Sequence, residues 1–450
     1  MMADPAPSAR LADYRSKRSV SLTPEPFGSG VVDAGGIFVV QKHAATRLHY
    51  DVRLEHDGVL LSWAVPQGPS LDPTVKRFAV QTEDHPIEYA EFEGVIPKDQ
   101  YGGGEMVVWD RGRLRWDEDP DAGLDSGRLL FTVHGCKLHG QWTLVRMKDP
   151  KEWLLIKKPD GWDREDHAFD ERSVDTGRTV EDLAAGTDPA AELRADLSDR
   201  APSNRVEGSG FSPMLAEVAD APFSREGWVF EVKYDGYRLL AEKQRRDVRL
   251  RYRSGLDATA VFPEITAALR RLAFDQLLID GEVVVLRQDG TPSFERLQRR
   301  GRLSNRHDIA RAAVELPATL FAFDLIAAEG LDLRGLPLLD RKTALRRVVP
   351  DIGVLRYADH IPGRGEAMFD RVVELGLEGV MAKDGASTYV SGRSAAWRKV
   401  RAEHVGVFAI VGFTAPGRSR TGIGALHLAG FRSGALSYAG RVGSGMSDDV

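Results

Sequence analysis

At 450 residues the chain is longer than one ordinary domain and fits two to four at roughly 100 to 200 residues each. Hydrophobic residues at 42% and charged residues at 28% give the composition of a soluble globular protein, and the single cysteine, Cys136, excludes an intramolecular disulfide and a cysteine-based zinc cluster. The net charge of −6 on its own argues against a nucleic-acid partner. No signal-peptide pattern opens the chain and no run approaches the ~18 apolar residues of a membrane helix, so it reads as cytoplasmic with no membrane partner.

In chain order, residues 36–160 hold short alternating segments between turn signals: GIFVVQ, YDVRLEHDGVLLSWAV, RFAVQTEDH, GEMVVWDRGRL, RLLFTVHG, GQWTLVRM and EWLLIKK. That spacing predicts an antiparallel sheet or barrel with little helix. From 161 to 208 the composition shifts to Asp, Glu, Ala, Gly and Ser, which predicts an acidic flexible linker with a transient helix near TVEDLAAG. After FSPML (211–215) the pattern is that of an α+β domain. Strands are expected at WVFEVK, RLLAEKQ, VRLRYR, QLLIDGEVVVL and ATLFAFDLI, and helices at FPEITAALRRL, LDRKTALRRVV and GEAMFDRVVELG. A third, strand-rich segment runs through HVGVFAIVGFT, ALHLAGFR and ALSYAGRVG and reaches Val450 before such a domain would be complete.

Local charge departs from the global balance at two places. RLRYRSG (249–255) puts Arg249, Arg251 and Arg253 on one face of a strand, and ERLQRRGRLSNR (295–306) is dense in arginine; each fits a phosphate-binding face or a solvated charged one. In HYDVRL (49–54), His49, Asp51 and Arg53 alternate with Tyr50, Val52 and Leu54, so one strand face carries all three polar groups. With His43 six residues earlier, two imidazoles and a carboxylate suit Mn²⁺, Fe²⁺ or Zn²⁺, and an arginine beside them suits a phosphate. RFAVQTEDHPIEY adds Arg77, His85 and Tyr89 as candidates. The alternative is a solvated strand face with surface histidines.

The stretch EVKYDGYR (231–238) follows the apolar run WVF and sets Lys233 where a strand should end. A lysine becomes nucleophilic when burial or neighbouring cations depress its pKa; otherwise it is a solvated cation. Downstream, in order, come RSG with Arg253, DGE with Glu282, FDLI with Phe323, EGVMAK with Glu378 and Lys383, and WRKVR with Lys399 and Arg401.

This ordered series, over about residues 211–450, closely resembles the covalent nucleotidyltransferases: ATP-dependent DNA ligases, RNA ligases and capping enzymes. The resemblance implies that Lys233 attacks the α-phosphate of ATP and carries AMP. It further implies that Arg238 and Arg253 contact phosphate and ribose, Glu282 the ribose hydroxyls, and Phe323 the adenine. Glu378 would hold Mg²⁺ or Mn²⁺, and Lys383 and Lys399 would neutralise the α-phosphate. Glu231 joins the nucleotide-binding set, and Arg401 stands where the family usually has a second lysine.

Four N-terminal stretches, QKHAATRLHYDVRLEHDG, SWAVPQGPS, KRFAVQTEDHPIEY and FEGVIPKDQYGGG, look like the 3′-phosphoesterase module of bacterial DNA ligase D over about residues 10–160. That likeness implies Mn²⁺ on His43, His49 and Asp51, with Arg53, Arg77 and His85 at the scissile phosphate, His85 also as general acid or transition-state stabiliser, and Tyr89 assisting. In KRSVSLTPEP, Arg18 and Glu25 match the family's leading motif, and Ser19 replaces its aspartate. The expected architecture is therefore multidomain: a barrel-like all-β phosphoesterase (10–160), the acidic flexible linker (161–208), an α+β adenylation domain (209–402) and the incomplete start of an OB-fold β-barrel (403–450). The implied function is ATP-dependent joining of DNA ends coupled to removal of 3′-ribonucleotides or 3′-phosphates in non-homologous end joining. The implied partners are DNA nicks and breaks, a Ku-type end-binding protein and a separate polymerase or primase, since no polymerase module is visible. An RNA ligase and an adenylation-deficient end-binding scaffold are the alternatives.

Overall fold

The computed structural model describes residues 10–18, 23–27, 36–165, 167–209, 212–287, 289–402, 407–415, 423–432 and 434–442. The departure at Ser19 lies outside the described residues.

The first ten strands are β1 (Ile37–Ala44), β2 (Leu48–His56), β3 (Val59–Val65), β4 (Lys76–Gln81), β5 (His85–Pro86), β6 (Gly94–Ile96), β7 (Gly104–Trp116), β8 (Arg128–Gly135), β9 (His139–Arg146) and β10 (Glu152–Lys157). The order β1-β2-β3-β4-β10-β9-β8-β7 closes on itself through the β1–β7 pairing, so eight strands form the expected barrel; β5 and β6 pair outside that circuit, with β3 and β7. Alternation fills it. Val40, Val52, Leu61, Trp63, Leu114, Phe131, Trp142, Trp153 and Leu155 meet in one buried cluster, while the intervening residues face out. Outward-facing Val39, Leu60, Met106 and Val108 are not left to solvent. The helix Ala12–Ser16, through Tyr14, and the 3-10 turn Ile87–Glu91 cover them in a second cluster.

Segment 161–208, expected as a flexible linker, carries two capped helices. Thr179 and Asp182 form a reciprocal capping box on Val180–Ala184, and Asp188 caps Pro189–Leu197. Val180 and Leu183 pack on Val107 of the barrel, and Leu193 and Leu197 enter the core of the following domain. Few but well-spaced apolar residues suffice to tie this polar segment down at both ends.

The α+β domain has two sheets. Strands β11 (Met214–Val218), β21 (Gly392–Arg401), β20 (Gly379–Asp384), β12 (Trp228–Val232) and β19 (His360–Pro362) form one in that order. Strands β14 (Asp247–Tyr252), β13 (Tyr237–Gln244), β15 (Gln276–Val285), β16 (Ala318–Ala328) and β17 (Leu331–Asp332) form the other, with β18 (Leu355–Tyr357) beside β16. The expected helices appear at Pro263–Arg271, Leu338–Val348 and Gly365–Glu374. The arginine-dense stretch 295–306 lies mostly in the helix Phe294–Gly301, and its Arg300 is fully buried against Glu264 (2.9 Å) rather than solvated.

A buried ion pair braces this domain. Arg341 donates to Asp324 at 2.7 and 2.8 Å, with neither side chain exposed, and also to the carbonyls of Leu336 and Ser387. Arg341→Met should strand the Asp324 carboxylate and cost about 3–5 kcal/mol, read as a lowered urea midpoint of the full chain.

A separate compact unit holds β22 (Ala409–Thr414), β23 (Ala425–Arg432) and β24 (Ala435–Val442) as a three-stranded antiparallel sheet, consistent with the start of an OB-fold. Among the described residues no helix is long and apolar enough to cross a membrane.

Candidate active sites

The polar face read from HYDVRL lies on the outside of the barrel. Across β1 and β2 the register sets His43 opposite His49 and Gln41 opposite Asp51, and across β2 and β3 it sets Arg53 opposite Ser62. His43 Nδ1 and His49 Nε2 stand 3.7 and 3.6 Å from the Asp51 carboxylate oxygens. His49 Nδ1 lies 2.9 Å from the Arg47 carbonyl, which only accepts, so its proton belongs there and Nε2 presents a lone pair. That lone pair faces a carboxylate, and the Nε2 of His43 is buried with no hydrogen-bond partner. One ligand atom from each of His43, His49 and Asp51 lies within 4.8 Å of the others, which fits a divalent cation, and the nitrogen–carboxylate donor set suits Mn²⁺, Fe²⁺ or Zn²⁺.

Arg53, 2% exposed, organises the face. It donates to Gln41 (2.7 Å), Ser62 (2.9 Å) and Asp51 (3.0 Å), which leaves two of a guanidinium's five N–H donors for a ligand. Burial alone would raise the pKa of Asp51, but the neighbouring charge, that of Arg53 first, outweighs it and holds the carboxyl well below its usual range. His85 joins from β5. Its Nδ1 donates to the Glu83 carbonyl (2.8 Å), and Arg18 approaches Nε2 at 3.4 Å. Burial, then the charges of Arg53 and Arg18, push its pKa well below the ordinary value, so His85 is a neutral acceptor; an acid role would first require proton uptake. Arg18 in turn pairs with Glu25 (2.7 Å) and Glu83 (3.0 Å), and the hydroxyl of Tyr89 donates to Glu25 (2.9 Å). Arg77 stands apart and donates to Gln67 (2.8 Å).

In the second domain Lys233 lies just past β12, where its backbone N–H still donates to the Gly379 carbonyl (2.9 Å). Its ammonium contacts the carboxylate of Glu378, 145 residues on in the chain. The glycine of EVKYDGYR is required sterically: a Cβ on Gly236 would stand 2.3 Å from the Val283 carbonyl oxygen of β15. Arg238 is gripped by Asp280 at 2.9 and 2.6 Å, and the Tyr389 hydroxyl donates to the same carboxylate (2.6 Å). Phe323 lies under Lys383 (4.3 Å to the ring centroid) and Arg238 (5.3 Å), edge-on to Trp397. Glu231, expected at the nucleotide, is 2% exposed and pairs with Lys342 and Lys383 at 2.6 Å each. Arg253 is exposed and linked to Arg238 by a backbone hydrogen bond; Lys399 is half-buried on β21 and Arg401 is exposed at the end of that strand.

Burial raises the pKa of Glu282 to about 8 from an ordinary 4.5; Arg238 and Lys233 oppose the shift, while Asp280 and Glu378 add to it. Because the folded value exceeds the unfolded one, the stability this group contributes is complete below 4.5 and lost as pH rises through about 8. Glu282→Gln should therefore melt close to the parent near pH ~5 and roughly 10 °C or more above it near pH ~9, at about 1.4 kcal/mol per pKa unit and about 2–4 °C per kcal/mol.

Sequence reading missed Gln41, Ser62 and Glu83 in the first site and Asp280, Tyr389 and Lys342 in the second. Gln41, Ser62, Glu83 and Asp280 stand inside the quoted motifs and were open to inference. Lys342, 111 residues from Glu231, carried no local signal.

Fold and sites together define a barrel with a metal-donor cluster followed by a covalent-nucleotidyltransferase-type domain. Residues 41–146 match the DNA ligase D 3′-phosphoesterase domain, and residues 213–401 match the ATP dependent DNA ligase domain. The chain is 40% identical over 460 residues to the multifunctional non-homologous end joining protein LigD of Pseudomonas aeruginosa, covering 98% of this chain and 53% of that protein. It is 35% identical over 454 residues to the LigD DNA repair protein of Mycobacterium tuberculosis, covering 99% and 52%. A solved mycobacterial DNA ligase D complexed with ATP and MES is 35% identical, over 54% of this chain and 75% of that one, with a TM-score of 0.41. The chain is thus similar along nearly its whole length to DNA ligase D proteins, carrying regions that match their phosphoesterase and ligase domains in order, and it spans about half the length of the curated relatives it matches.

Proposed function

We propose that the chain joins DNA 3′-hydroxyl and 5′-phosphate ends with ATP, through a lysyl-AMP intermediate, after its barrel has removed a 3′-terminal ribonucleotide or phosphate. The observation that carries this reading is the meeting of Lys233 with Glu378 inside a domain of the ATP-dependent DNA ligase type. The Lys233 amine, once it sheds its proton, attacks the α-phosphorus of ATP; a P–N bond forms as the bond to the β-phosphate oxygen breaks, and pyrophosphate leaves. Arg238, oriented by Asp280, and Arg253 bind phosphate and ribose oxygens. Glu282 meets the ribose hydroxyls, and Phe323 stacks on adenine. Lys383 and Lys399 offset the charge on the α-phosphate, and Glu378 would hold a divalent metal.

On the barrel, His43, His49 and Asp51 would hold Mn²⁺, which when bound polarises a phosphoryl oxygen as a Lewis acid. Arg53 fixes Asp51 and offers its spare N–H groups to the scissile phosphate, His85 accepts a hydrogen bond there, and Arg77 and Tyr89 assist. The two activities are complementary, since sealing needs a free 3′-hydroxyl. Recruitment by a Ku-type end-binding protein, cooperation with a separate polymerase or primase, and a cytoplasmic, nucleoid-associated setting follow from the resemblance to DNA ligase D.

The test is to incubate the full chain with α-labelled ATP and Mg²⁺ and then with nicked duplex DNA. We expect label that survives denaturation in SDS, and its release as the nick is sealed. A chain that takes up no label would sink the ligase reading.

A further inference from the structure

The motif FEGVIPKDQYGGG places one aromatic ring where packing does not need it. Tyr101 is 49% exposed and stands outside every buried apolar cluster. The loop that carries it is nonetheless fixed. The N–H of Gln100 donates to the Pro97 carbonyl (2.9 Å) and that of Gly103 to the Gln100 carbonyl (3.0 Å). A Cβ on Gly103 would stand 2.6 Å from Pro97 O, and one on Gly104 2.3 Å from Ala44 O, so the backbone lies hard against the end of β1.

The loop lies between two parts of the barrel site, His43 on β1 and the Arg18–His85 pair. On one side, Gly102, at φ +74°, brings the loop within 3.9 Å of His43 Cε1, measured from where its Cβ would be. On the other, Lys17 Nζ lies 4.9 Å and Arg18 Cζ 5.3 Å from the centre of the Tyr101 ring, and the same Arg18 reaches His85. A half-exposed aromatic ring held rigidly beside cations and a metal-donor cluster is the arrangement that stacks a base while its phosphate is held nearby.

We propose that Tyr101 is the platform on which the nucleoside beyond the scissile phosphate of a DNA 3′ end stacks, so that it selects for a 3′-ribonucleotide over a bare 3′-phosphate, which has no nucleoside there. The proposal rests on the 3′-end-trimming reading above. The ring adds base contact without taking part in bond breaking.

The full chain, Y101A and Y101F are compared with Mn²⁺ on three duplex primers, ending in a 3′-ribonucleotide, a 3′-abasic ribose or a 3′-phosphate. For the ribonucleotide, Y101A should raise KM roughly 5- to 150-fold, the factor carried by one base stack, with kcat little changed. On the abasic and phosphate ends Y101A should match the parent, and Y101F should match it throughout. If Y101A trims all three as the parent does, or loses equally on all three, as it would if the ring merely positioned Arg18, the Tyr101 proposal is overturned while trimming stands. A parent that trims none of the three overturns the trimming reading and this proposal with it.

Discussion

Lys233→Ala is expected to take up no label from α-labelled ATP, and Lys233→Arg is expected to take up none either. The pair of variants separates the two meanings of a lysine at the end of a strand. If Lys233 acted only as a cation beside Glu378, arginine would keep the charge and the contact, and labelling would persist. If its nitrogen attacks phosphorus, arginine fails, because a guanidinium stays protonated and its lone pairs are delocalised. Loss of fold is a poor alternative explanation. The contact with Glu378 joins two partly exposed side chains, a pairing worth about 0–1 kcal/mol, so both variants should melt close to the parent. SDS gels read against thermal melts provide the measurement, and label on Lys233→Arg equal to the parent's would place the attachment site elsewhere.

The sequence was most informative where chemistry and periodicity coincide. In HYDVRL the period of two put His49, Asp51 and Arg53 on one face, and the antiparallel pairing of β1 with β2 then set His43 opposite His49 by register alone. The strands of the second domain were equally legible, because WVF, LLID and FAFD are apolar runs broken by motif residues. The segment 161–208 was not. Composition reports an average, and here the buried apolar side chains Val174, Val180, Leu183, Leu193, Leu197, Ala201 and Val206 are spaced through a polar stretch. Charged side chains misled in the same way. Nothing local marks Arg300, Arg341 or Lys342 as buried, yet each is, because a carboxylate elsewhere in the chain meets it: Glu264, Asp324 and Glu231. A local pattern cannot announce a partner brought by the fold, so solvent is the default expectation for a lone charge and fails when the charge is paired. The same reasoning covers Arg238, expected to reach for phosphate: the Asp280 that aligns it lies two residues before the quoted Glu282, on the neighbouring strand.

His49→Ala is the sharper probe of the barrel, and it should slow Mn²⁺-dependent trimming of a 3′-ribonucleotide primer at least ~100-fold at low metal. Removing Arg53 would confound two effects, since Asp51 would be left buried without its counter-charge. His49 carries no such burden: its side chain is 22% exposed, and beyond the cluster its polar contact is with the Arg47 carbonyl. Its loss leaves His43 and Asp51 as the two remaining donors, so affinity should fall and part of the rate should return as Mn²⁺ is raised. The same preparation should label Lys233 as the parent does, because nothing in the cluster touches that residue, and this shows the protein to be folded. Trimming by His49→Ala at the parental rate, at limiting Mn²⁺, would mean that the cation is held by other residues and that the cluster on the barrel's outer face is an ordinary paired-histidine surface.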